Sequence, residues 1–262
     1  MLVYLVSLKI LSKTKKRNNK VVLALQSGTF IGVGVGPGDP ELLTLKAYRA
    51  IQAADVVCYL ENEAGQSQSL DIAVEALKKP IKQQLHLGIR FAMSRQRVAA
   101  NLAYDKAIAQ IQVHLKQGKT VVFLCEGDPL FFGSFTYLLE RLESQYPSQV
   151  IPGVPAFVAA TAELQIPLTV LKQSFAVITG RHSDAKIKAA LLEHDAVVIM
   201  KAGIERPRLI ALLKETQRFD DANYLEYISR DQQKIIRDLN QLDNVAGPYF
   251  SLFVITREEL TA

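Results

Sequence analysis

From Thr29 onward the chain alternates short β-branched runs with stretches of helical apolar period, and few architectures accept that alternation. A strand, a helix and a second strand in succession favour parallel pairing with crossovers, so the pattern predicts α/β layers. Strands are expected over residues 29–35, 55–60, 120–125 and 149–151, with helices over 40–54, 67–79, 95–117, 131–143 and 156–164. Gly118 stops the long helix at a position where glycine is a good C-terminal signal. After Ile166-Pro167 the alternation restarts, with strands over 175–179, 196–200, 224–229 and 249–256 and helices over 184–193, 206–216 and 232–242. The last strand, entered from Gly247-Pro248, is free to run antiparallel. The change of character over 168–174 places a boundary there. The expected organisation is an N-terminal extension over 1–27, an α/β domain over 28–170 carrying the glycine-rich loops, and a second α/β domain over 171–262. Each domain is expected to be a mixed or mostly parallel sheet flanked by helices.

Two such domains fit a length of 262 residues, and 49% hydrophobic with 22% charged residues excludes wholesale disorder. The net charge of +5 invites a nucleic-acid reading, but its location argues against one. Residues 1–27 hold Lys9, Lys13, Lys15, Lys16, Arg17 and Lys20 and no acid, which leaves 25 cations against 26 acids in the rest of the chain. The basic footprint of a nucleic-acid-binding face is therefore missing, and no nucleic-acid partner is expected. Residues 1–11 are apolar but too short to span a bilayer, which takes about 20 residues. A secretory signal places its charge before the apolar stretch, whereas here the charge follows, and no later run is long enough for an integral membrane segment. Cys58 and Cys125 sit in apolar runs and exclude a disulfide scaffold; they read as buried thiols of a reducing, cytoplasmic compartment. His86, His114, His182 and His194 lack ligand spacing among themselves or with cysteine, so no metal site is expected.

Three turns carry the functional signal. The first strand runs into Gly32-Val-Gly-Val-Gly-Pro-Gly-Asp-Pro40, whose alternate glycines allow close approach of a ligand. Asp39 is a suitable N-cap, with Pro40 at the first helical position. Neither the dinucleotide pattern nor a phosphate-cradling loop fits: Pro37 and Asp39 stand where glycine is required, and no Gly-Lys-Ser/Thr follows. A second strand ends in Cys125-Glu-Gly-Asp-Pro-Leu-Phe-Phe-Gly-Ser134, so Gly-Asp-Pro recurs at a strand exit. Ile151-Pro-Gly-Val-Pro-Ala156 is the third turn. Ligands of open α/β sheets bind outside the carboxyl ends of strands, where such turns converge.

Gly34-Val-Gly-Pro-Gly-Asp39, Glu126-Gly-Asp-Pro129 and Pro152-Gly153 together resemble the tetrapyrrole (corrin and porphyrin) methylases, over about residues 28–257. The fuller strings from Gly32 to Ala47 and from Phe123 to Phe135, with Phe91-Ala-Met-Ser94, are most similar to the branch that methylates precorrin-2 at carbon 20 in cobalamin synthesis. The resemblance implies two α/β domains, an S-adenosyl-L-methionine cofactor, a small-molecule tetrapyrrole substrate, with or without cobalt, and a homodimer. It places cofactor contacts on Gly36, Pro37, Glu126, Gly127, Asp128, Phe131, Pro155, Ala156 and Met200, with a further backbone contact near 227–230. At Ser229-Arg-Asp-Gln232 the chain is shorter than the family's pattern, and its Ala176-Val-Ile-Thr-Gly180 string also differs. A substrate of this class carries eight carboxylates, for which Arg90, Arg95, Arg97, Arg181 and Lys201 are candidate partners. Glu126 and Tyr59, at predicted strand ends, are candidate bases, and His182 follows a strand. Two other readings stay open: another tetrapyrrole methylase, such as one acting on uroporphyrinogen III, or a module that binds the cofactor without catalysis.

Overall fold

The computed structural model describes residues 27–78, 80–90 and 97–257, with the side chains of 97–100 excepted. The extension over 1–27, Lys79, the Phe91–Ser94 string, Arg95 and the Arg97 side chain therefore lie almost entirely outside the described residues.

The chain divides into two compact units, one ending at Gly153 and the other starting at Val154, with Pro37–Asp39 grouped with the second. The division differs from the boundary expected at residue 170, because the helix Ala156–Leu164 packs on the last strand of the second sheet.

The first unit is a five-stranded parallel sheet. It contains β1 (Thr29–Gly34), β2 (Val56–Glu61), β3 (Leu85–Arg90), β4 (Thr120–Cys125) and β5 (Ser148–Ile151), in the order β3-β2-β4-β1-β5. Its helices are α1 (Leu45–Ala53), α2 (Gln68–Ile72), α3 (Val74–Leu77), α4 (Arg97–Leu115) and α5 (Phe135–Leu142). The central strand β4 is buried on both faces, as parallel strands between helical layers are. Val121, Phe123 and Cys125 face one apolar cluster with Phe30, Ile111 and Phe135, while Val122 and Leu124 face another with Val33, Ile51 and Val57. Strand β3 was not anticipated. It is an edge strand with little buried surface, so its sequence carries only a faint apolar signal.

Asp39 does not cap a helix beginning at Pro40. Pro40–Leu42 forms a single 3₁₀ turn, and α1 starts after Thr44, whose Oγ1 accepts a hydrogen bond from the Ala47 amide at 3.1 Å. The helix expected over 67–79 breaks into α2 and α3 at Ala73. The helix expected from residue 131 starts at Phe135, because residues 126–134 are taken up by a long turn.

The second unit has β6 (Phe175–Thr179), β7 (Ala196–Met200), β8 (Ala222–Glu226), β9 (Lys234–Ile236) and β10 (Ser251–Thr256), in the order β6-β7-β10-β8-β9. Strand β10 runs antiparallel to β7 and β8, so the sheet is mixed. The helices are α6 (Ala156–Leu164), α7 (Asp184–Glu193) and α8 (Arg206–Glu215). Tyr224 and Phe253, 4.8 Å apart, centre a core with Val197, Ile199, Leu209 and Leu213.

The helix expected over 232–242 is absent. Ile235, Ile236, Leu239 and Leu242 have helical spacing, but Lys234–Ile236 pairs with β8 instead. Asp238 then accepts from the Asn240 amide at 2.9 Å and closes a 3₁₀ turn over Leu239–Gln241. The β-branched pair suits the sheet, and the later leucines are buried all the same.

Candidate functional site

In the first unit the carboxyl ends of β1, β4 and β5 meet through glycine backbone. Strand pairing continues past the strands: Val35 N–H donates to Cys125 O at 2.9 Å, Gly36 N–H to Gly127 O at 3.3 Å, and Gly127 N–H back to Gly36 O at 2.8 Å. This antiparallel bridge requires a reversal of the chain, and both glycines have positive φ, +83° at Gly36 and +64° at Gly127. A Cβ on Gly34 would lie 2.5 Å from Gly153 N and 2.6 Å from Gly127 O, so Gly34, Gly127 and Gly153 lie backbone against backbone. The alternate glycines of the first turn thus have separate tasks. Gly32 admits the Phe135 ring rather than a ligand, because a Cβ there would stand 2.3 Å from the ring.

Asp128 ties two of the turns together. Its Oδ1 accepts from Leu130 N–H at 2.9 Å, closing a local turn, and its Oδ2 accepts from Gly153 N–H at 3.1 Å. Ser134, not Asp128, occupies the N-cap position of α5. A carboxylate has about four lone-pair sites, so these two bonds leave acceptor capacity on both oxygens. Glu126 is exposed beside this junction. Phe131 and Phe132 stack edge to face at 4.8 Å, and Phe132 has a φ of 51°, an uncommon state for an aromatic residue that sequence reading does not signal.

The other candidate base, Tyr59, lies in β2 among Val57, Ile72 and Val122. Burial pushes its phenol up, and the neighbouring Glu61 and Cys58 add to the shift, so it stays protonated at neutral pH. The Cys125 thiol, at the end of β4, is pushed up by burial and then by Glu126 and Asp128. Arg90 ends β3 in register with Glu61 and is exposed.

In the second unit, α6 starts at Ala156 with Pro155 in the N-cap position, which supplies no side-chain cap to the first turn. Met200 ends β7, and its carbonyl accepts from Gly180 N–H at 2.8 Å. Lys201 follows with a φ of 54°, and its Nζ lies 5.8 Å from the Tyr249 ring. The turn after it is held close to residues 247–248, since a Cβ on Gly203 would lie 1.8 Å from Pro248 O. Arg181 is exposed in the turn after β6, where His182 folds back so that Thr179 N–H donates to its Nδ1 at 3.2 Å.

Pro37 is grouped with this unit. Gly38 packs against the turn that follows β8: a Cβ there would lie 2.5 Å from Arg230 Cγ and Ser229 O, and 2.7 Å from Ile228 O. That turn contains the stretch near 227–230 at which the resemblance implies a further backbone contact. It is built with left-handed backbone at Tyr227 (φ 49°) and Ser229 (φ 61°). Arg230 was not singled out from the sequence; the one signal was the backbone contact expected near 227–230.

The fold agrees with what comparison with known proteins finds. The model of the tetrapyrrole (corrin/porphyrin) methylases matches residues 29–243. A precorrin-2 C(20)-methyltransferase of Sinorhizobium sp. is 35% identical over 234 residues, covering 87% of this chain and 95% of that protein. A cobalt-precorrin-2 C(20)-methyltransferase of Salmonella typhimurium is 27% identical, covering 88% of this chain and 98% of that protein. Among solved structures, the uroporphyrin-III C-methyl transferase of Thermus thermophilus, complexed with S-adenyl homocysteine, superposes with a TM-score of 0.62 at 21% identity, over 88% of this chain and 98% of that one. The protein is a member of the tetrapyrrole methylases.

Proposed function

We propose that the chain transfers a methyl group from S-adenosyl-L-methionine to carbon 20 of precorrin-2 or its cobalt form, in cobalamin synthesis. The observation that carries the reading is the glycine junction at the carboxyl ends of β1, β4 and β5, in a chain 35% identical over 95% of a precorrin-2 C(20)-methyltransferase. The residues fit such a donor: Gly36 and Gly127 carry no side chains beside the junction, and Asp128 keeps acceptor capacity there.

Bound there, S-adenosyl-L-methionine would supply an electrophilic methyl on a sulfonium, the C–S electron pair returning to sulfur as a neutral thioether when the substrate carbon takes the methyl. Because the displacement must be in line, the protein's share is positioning and exclusion of water. The resemblance implies donor contacts at Gly36, Glu126, Gly127, Asp128 and Phe131 of the first unit and, separately, at Pro37, Pro155, Ala156 and Met200 of the second. Glu126, exposed at the end of β4, is the better placed group to accept the proton lost from the methylated carbon. Tyr59, whose phenol is held protonated, serves only as a hydrogen-bond donor. Arg90, Arg181 and Lys201 are the described cations offered to substrate carboxylates, and the resemblance supports a homodimer, for which sedimentation at twice the chain mass is the test.

The test of function is turnover of purified protein with labelled donor and either precorrin-2, cobalt-precorrin-2 or uroporphyrinogen III. Label incorporated into either precorrin-2 form supports the reading. Label incorporated only into uroporphyrinogen III would move the activity to another branch, and tight donor binding without transfer to any of the three would make the chain a binding module.

A further inference from the structure

The turn at 227–232 meets the Pro37–Asp39 segment through one side chain, Arg230. We propose that Arg230 is a positioning residue for the methyl donor: it fixes the Pro37–Asp39 segment and so holds the first donor turn in its binding shape. This rests on the donor-binding reading of Pro37 given above.

The Arg230 side chain meets both the Pro37–Asp39 segment and Phe250. Its Nε–H donates to the Pro37 carbonyl at 3.0 Å, across 193 residues of sequence. Its guanidinium carbon lies 4.2 Å from the centroid of the Phe250 ring, well within the range for cation–π stacking. Its side-chain stem and the Ser229 carbonyl form the wall against which Gly38 packs, with room for no Cβ.

The turn is itself held from both sides. Arg230 N–H donates to Tyr227 O at 3.0 Å, Gln233 N–H donates to Arg230 O at 2.9 Å, and Tyr227 N–H donates to Phe250 O at 2.8 Å. Ser229 N–H donates to Gln233 Oε1 at 2.6 Å, and Gln233 Nε2 donates in turn to Glu163 on α6 at 2.9 Å. The left-handed residues Tyr227 and Ser229 are strained positions that such a web sustains. The fork of an arginine suits the task because it stacks on a ring and donates in plane at the same time, which lysine does not do. Pro37 has no backbone N–H, so its carbonyl is the one backbone hydrogen-bonding group it offers to Arg230.

The experiment compares wild type, R230A, R230K and G38A by calorimetric titration with S-adenosyl-L-methionine, by KM for donor and for tetrapyrrole separately, and by thermal melting. R230A should weaken donor binding about tenfold, the size expected for one hydrogen bond and one stacking contact, and leave the tetrapyrrole KM in place. R230K should remain closer to R230A than to wild type. G38A should weaken donor binding in the same selective way, because it forces the two segments apart from the opposite side without removing a polar group. Millimolar guanidinium added to R230A should restore part of the donor affinity, a readout that general loosening of the fold would not give. Wild-type affinity in both R230A and G38A would overturn the assignment, as would equal losses for donor and tetrapyrrole. If wild type itself binds no donor, the functional reading fails first, which distinguishes the two failures.

Discussion

Gly34 has neighbours on its Cβ side that cannot step aside, since they are the backbone of Gly127 and Gly153 rather than flexible side chains. G34A should therefore cost about 2–3 kcal/mol of stability, measurable by urea denaturation, and abolish donor binding in whatever fraction stays folded. Asp128 acts by a different route. D128A removes acceptors from the Leu130 and Gly153 amides and should weaken donor affinity about tenfold by titration, while D128N, which keeps one acceptor oxygen, should fall between. The Cys58 and Cys125 thiols are buried and held up by that burial, so neither should react with a thiol reagent until the protein is unfolded. At this scale the sequence was partly legible. The recurrence of Gly-Asp-Pro showed where to look, but a string of glycines does not reveal that Gly32 serves an aromatic ring and Gly38 a distant turn. Those are facts about what packs opposite, which local spacing does not encode.

At the scale of elements, the strands with two buried faces were readable because unbroken β-branched runs leave little alternative; β4 and β7 have their expected limits. Of the edge strands, β5 and β6 lie where the sequence places them, to within a residue, and β3 and β9 do not. β3 and β9 bury little, and in the second case a chance helical spacing of Ile235, Ile236, Leu239 and Leu242 competes with the sheet. Joints between elements offer direct tests. T44A removes the α1 cap and should cost about 1 kcal/mol in chemical denaturation. Arg218 is buried at the end of α7, donating to Leu191 O at 2.6 Å, His194 O at 3.1 Å and Asp195 O at 2.9 Å while pairing with Asp221, so R218A should cost about 2–3 kcal/mol. Asp55 joins β2 to β4 by accepting from Thr120 N–H at 2.8 Å. Burial pushes its carboxyl up, but the hydrogen bonds from Lys82 and Thr120, with the charges of Lys82 and Lys119, outweigh burial and hold it below its usual value. A carboxyl lowered in the folded state stabilises above its ordinary pKa, and that contribution is lost as pH falls through the folded value. Replacing Asp55 with Asn should therefore flatten the decline of stability below about pH 4, relative to wild type.

For the whole molecule, the alternation of strands and helices was enough to anticipate two α/β units, and the glycine turns were enough to anticipate the family. Among the described residues, no helix is long and apolar enough to cross a membrane. The boundary at Gly153 was harder to see, since α6 follows the third turn without any break in composition and its allegiance to the second sheet is decided by packing on β10. The chemistry was legible only as far as similar strings go, because no spacing in the chain specifies which carbon of a macrocycle receives a methyl group. The most direct measurement is ¹³C NMR of the product formed from precorrin-2 and donor labelled in its methyl carbon. Methylation at C20 gives a single new labelled methyl on that carbon; a labelled methyl at any other ring carbon, or an unmodified macrocycle after incubation with protein that binds the donor, would overturn the proposed function.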